Sequence, residues 1–224
     1  MENISELTLV ADVGDYAKKE ACLMSAAVAK FRLEHGKPLG TATDRLACVC
    51  PVIRTLAIRI NDGSWWADDA ERTSSLLPFV DRILNTNNPE LSVKRAMLCA
   101  DRAVRVFVPT ALNALGNPDE AEKLKALPAI IDKESAARGA EAARWAAEVV
   151  CKGDSTCWSA ARWAAEAAEV AREAEATCRS DAFWSAAFWA ARWAAEAAEV
   201  AREVNLLTLK SELLKLLSDL CEVK

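Results

Sequence analysis

The chain has 224 residues, 52% of them hydrophobic and 27% charged, with a net charge of −5. Those proportions describe a folded protein with room for a sizeable core and exclude an intrinsically disordered chain. The acidic balance argues against duplex nucleic acid as a partner, and no stretch of about 18–20 residues is free of charge, so no membrane-spanning helix is expected.

Residues 1–14 carry weak signals and suggest at most a short helix ending near Gly14. Asp15 to His35 reads as one helix whose apolar stripe is Tyr16, Leu23, Met24, Ala27, Val28 and Phe31, closed by Gly36. Cys48-Val49-Cys50-Pro51-Val52-Ile53 follows a loop. Pro51 suits a first helical turn, with Ile53, Leu56, Ala57 and Ile60 facing inward until the turn at Asn61-Asp62-Gly63. Asp62, Asp68, Asp69 and Glu71 cluster there, with Arg72 beside them. Paired carboxylates can carry acid–base chemistry, but acids also gather at solvated helix starts. Leu76-Leu77-Pro78 marks a joint between two short helices. Leu91 to Val108 forms another helix that Pro109 kinks and Gly116 ends. Pro118 opens a short helix that stops before Pro128.

The segment from residue 133 onward changes character. One twelve-residue phrase, RWAAEAAEVARE, occurs at Arg162–Glu173 and again at Arg192–Glu203. Alanine, glutamate and arginine are strong helix formers. At about 100° per residue, Trp163, Ala167, Val170, Ala174 and Cys178 share one side, and Arg162, Glu166, Glu169 and Arg172 the other. A seam so rich in alanine invites another helix at short range. The expected arrangement is an antiparallel pair, about 155–178 and 181–217, broken at the polar residues 177–181; a single bent helix is the alternative. A Leu-rich closing helix, from Leu206 to Leu220, follows.

Trp158, Trp184 and Phe188 depart from this pattern by lying among the charges, near Arg162, Arg192 and Arg202. Either the N-terminal half covers that face, or it is an aromatic and cationic patch for a partner or planar ligand.

The only histidine is His35, and GxGxxG, P-loop, GxSxG and HExxH motifs are absent from the sequence. Cys48-x-Cys50 has no matching second pair, so neither a metal site nor a cofactor is expected. The eight cysteines, without a recognisable export signal, read as reduced thiols in a cytoplasmic protein.

The order of Cys48–Ile53, Asn61-Asp62, Arg72 with Leu76-Leu77-Pro78, the Ala-rich stretch and the closing helix resembles a group of uncharacterised bacterial and phage proteins. The resemblance implies a prokaryotic or phage origin, hence the bacterial host cytoplasm for a phage protein, and attaches no activity.

The expected fold is all-α: a helical domain over 1–132, then an Ala/Trp-rich hairpin or bundle with its closing helix over 133–224, or the two as one continuous domain. The leading functional expectation is a non-catalytic binding protein. Its partner would be a protein or a small anionic molecule such as a nucleotide, in a sequestering role guessed from class, and homo-oligomerisation is expected. An enzyme using Asp62, Asp68, Asp69, Glu71 and Arg72 is the second reading; an assembly protein is the third.

Overall fold

A computed structural model describes residues 3–150, 155–176 and 206–224. The described chain is predominantly helical, in agreement with the all-α expectation. It forms two compact units that meet between Asn88 and Pro89, not at residue 132 as the sequence suggested. The change in composition at residue 133 misplaced the boundary, because the helices on either side of it share one core.

The first unit begins with a minimal parallel sheet, β1 (Thr8–Leu9) and β2 (Glu20–Ala21), in which Thr8 pairs with Glu20 and Leu9 with Ala21. The helix expected from Asp15 therefore starts later. Lys19 adopts a left-handed conformation, φ 59°, that breaks it, and α1 spans Leu23–Glu34. Cys22 caps it, its Sγ accepting from the Ser25 N–H at 3.3 Å. Gly14, φ +80°, cannot carry a side chain, since a Cβ there would lie 2.6 Å from the Ala21 backbone. Next come α2 (Pro51–Asp62), α3 (Asp69–Leu76) and α4 (Val80–Ile83). Leu9, Leu23, Met24, Ile53, Leu56, Ile60 and Leu76 are fully or almost fully buried at its centre.

The second unit opens on α5 (Pro89–Arg102), which runs through a π-helical turn (Ala103–Phe107) into α6 (Val108–Ala114). Pro109 explains the turn: proline has no N–H to give and its ring collides with the carbonyl four residues back, so the hydrogen-bond register slips just ahead of it. α7 (Pro118–Lys125) follows the expected Gly116 stop. α8 (Lys133–Trp145) starts with a capping box between Asp132 and Ser135 and ends in a second π-helical turn, Ala146–Val150. α9 covers Ser155–Ala176, and α10 covers Leu206–Glu222.

α9 is the hub of this unit, packed against α8 on one side and against α5, α6 and the first π-turn on another. That corrects the expected single seam. Ala160, Ala161, Ala164, Ala165, Ala167, Ala168 and Ala171 are all buried, whereas Trp163 and Val170 are only partly covered. A helix flanked twice needs small residues over most of its circumference. The hairpin partner of α9 is α8, and Arg144 near the end of α8 bonds Glu169 at 3.0 Å as the chain doubles back. The second copy of the repeat, with the 181–217 arm expected for it, lies mostly outside the described residues.

α10 folds back onto the unit, as the sequence favoured. Leu209, Leu213, Leu216, Leu217 and Leu220 are buried. Arg102 holds Asp219 at 2.7 Å, and Arg95 Nε donates to the Leu220 carbonyl at 2.8 Å. Among the described residues no helix is long and apolar enough to cross a membrane.

Candidate functional site

The acidic cluster is structural in its geometry. Asp68 caps α3 by accepting from the Glu71 N–H at 2.7 Å, and Glu71 accepts from the Ala67 N–H at 2.8 Å. Asp62 accepts from the Asp12 N–H at 3.1 Å and the Asn61 side chain at 2.8 Å. Arg72 is only 9% exposed. Its Nε donates to the Asn61 carbonyl at 3.0 Å, and its Nη1 pairs with Asp69 and reaches the Leu9 carbonyl. Asp62 and Arg72 thus tie the N-terminal segment to α2 and α3, Asp69 holds Arg72, and the contacts of Asp68 and Glu71 are local to the start of α3. Among the described residues no three His, Cys, Asp or Glu side chains converge as metal ligands would. His35 is likewise local, its Nδ1 2.7 Å from the Phe31 carbonyl and its ring 4.2 Å from that of Phe31. Cys22 and Cys48 are free thiols.

Of the proposed aromatic patch, Trp158 and Arg162 are described; Trp184, Phe188, Arg192 and Arg202 lie outside the described residues. Trp158 is 40% exposed. The Arg162 guanidinium sits over its ring, 5.1 Å from the centroid. Both border a cleft of about 260 Å³ between α8 and α9, with Arg144, Glu148 and Glu166 around the rim. Two arginines and two glutamates share that rim. Glu169, at the same end, is partly buried, which pushes its carboxyl up. Hydrogen bonds from Arg172 and Arg144 outweigh that and hold it below its ordinary 4.5.

A second, larger site was missed. α7 and α8 both adjoin the first π-turn but touch each other little, and the space between them is a groove of about 440 Å³. Leu124, Leu127, Ala142 and Ala146 give it an apolar lining, and Trp145 stands at its side, 45% exposed. The Lys123 ammonium lies 5.8 Å from the Trp145 ring centroid and 2.7 Å from Glu120. Arg138 and Glu141 complete the rim. The volume falls in the range of small-ligand pockets. A sequence signal existed: the shortened phrase Arg-Trp-Ala-Ala-Glu occurs a third time, at residues 144–148. What it could not show was α7 lying alongside.

The site and fold together define an all-α protein with a tryptophan-walled groove and a separate tryptophan–arginine cleft. No protein-family model, curated protein or solved structure matches the chain.

Proposed function

We propose that this is a non-catalytic binding protein whose α7–α8 groove takes a small molecule with a planar or apolar body and an anionic end, a nucleotide being one such ligand. The observation that carries the reading is Trp145, left 45% exposed against an apolar groove lining with Arg138 on the rim. Exposing so large an aromatic forgoes a substantial burial gain. A stacking platform beside a cation is the combination that recognises a base and its phosphate. Lys123 is partly neutralised by Glu120, so Arg138 is the cation assigned to the anionic end. A protein partner is the second ligand class, and a sequestering role fits either. The bacterial or phage origin rests on the motif order alone. The enzyme reading stays second, since Arg72 is engaged by the Asn61 carbonyl and Asp69, and Asp68 caps α3.

The test is a titration of the full chain with nucleoside monophosphates, followed by tryptophan fluorescence. Saturable quenching is expected, abolished in Trp145→Ala and weakened about tenfold or more in Arg138→Ala, the loss of one charge-assisted contact. Quenching unchanged by both substitutions, or none for any nucleotide, would reject the groove as their site.

A further inference from the structure

The α8–α9 cleft is a different surface with a different logic. Two copies of Arg-Trp-Ala-Ala-Glu, at 144–148 and 162–166, border it from opposite sides and in opposite directions. Its floor is Ala147 and Ala165, 4% and 2% exposed. Along α9 the open stripe reads Trp158, Arg162, Glu166, each one helical turn from the next. Arg162 and Glu166 have the spacing of an ion pair, yet among the described residues none joins them; the guanidinium is over Trp158 instead.

We infer that this face is a self-complementary interface for a second copy of the same chain. A two-fold axis lying across α9, between Arg162 and Glu166, sets each arginine opposite Glu166 of the other copy. Residue i then meets j while j meets i, as an isologous contact demands. The alanine floor lets the second pair of helices approach closely, and the two Trp158 rings lie at the ends of the contact and close it off from water. The chain already uses antiparallel charge matching internally, in the Arg144–Glu169 bond that joins α8 to α9. Equal numbers of arginines and glutamates on one face are what a second identical face requires.

The experiment measures the solution mass of full-length wild type, Arg162→Glu, Glu166→Arg and the double exchange over a concentration series. Wild type should reach twice the chain mass. Each single variant faces like charges at both contacts and should weaken dimerisation at least about tenfold. The double exchange should restore it. An equimolar mixture of the two single variants should also dimerise, because each then offers the charge the other lacks. Circular dichroism confirms that the variants fold, and the mixture experiment recovers the result even where a single variant is less stable. A wild-type single-chain mass at all concentrations overturns the inference. So do dimers indifferent to the substitutions, or single variants that fail to rescue each other.

Discussion

Asn61 is the residue on which the first unit turns. It is fully buried, and its Oδ1 accepts from the Leu23 N–H at 3.0 Å while its Nδ2 donates to the Val10 carbonyl at 2.8 Å. It thus fixes both the start of α1 and the exit from β1, and Arg72 bonds its main-chain carbonyl from the other side. Asn61→Ala would strand a buried donor and acceptor, and a loss of about 2–4 kcal/mol in a denaturant titration is expected. A change under about 0.5 kcal/mol would mean the contacts are dispensable. Tyr16, the only tyrosine, gives a pH marker for the same unit. Its hydroxyl donates to the Ser25 carbonyl at 2.6 Å, and burial raises its pKa from 10.0 to about 12. Its folded-state value lies above the unfolded one, so its contribution to stability is complete below pH 10 and declines as pH rises toward 12. Ultraviolet absorbance of tyrosinate should therefore show a midpoint near 12 in the folded protein; one near 10 would place Tyr16 in water. In the sequence, Asn61, Asp62 and Arg72 stood out as a motif, but their role was not legible. A carboxylate capping a helix and one polarising a substrate look alike until the atoms they touch are known.

At the scale of elements, α9 shows how far periodicity reaches. Its helicity, its charged stripe and the anomaly of Trp158 were all readable. The width of its buried face was not, because a periodicity argument assumes one neighbour and α9 has several. The first helix failed for another reason: Tyr16 and Leu23 match a helical stripe, but Lys19 and the short sheet interrupt it, and pairing across ten residues leaves no periodic trace. α8 supplies a controlled comparison of alanine sites. Ala140 is fully buried and Ala137 exposed on the same helix. Ala140→Leu should cost about 1–3 kcal/mol through overpacking. Ala137→Leu should stay within about 0.5 kcal/mol. Thermal unfolding of the pair checks it, and equal shifts would contradict the packing described. Gly139 belongs to the same close approach, since a Cβ there would meet Ile130 Cδ1 at 2.7 Å.

Across the whole molecule, the composition change at residue 133 hid the boundary at Asn88, and with it the groove. Only when α7 and α8 belong to one unit do Trp145, Arg138 and Lys123 face a common space. The second unit then carries two separate surfaces, the Trp145 groove proposed for a small ligand and the α8–α9 face proposed for a second chain. The most direct measurement is fluorine NMR of the full chain labelled with fluorotryptophan, which offers a resonance for each of eight tryptophans. The Trp145 line is assigned from its disappearance in Trp145→Phe. On addition of adenosine monophosphate that line should shift saturably, while those of buried Trp65 and Trp66 stay in place. A Trp145 line unmoved at saturating nucleotide, or a response confined to Trp158, would contradict the assignment of the groove.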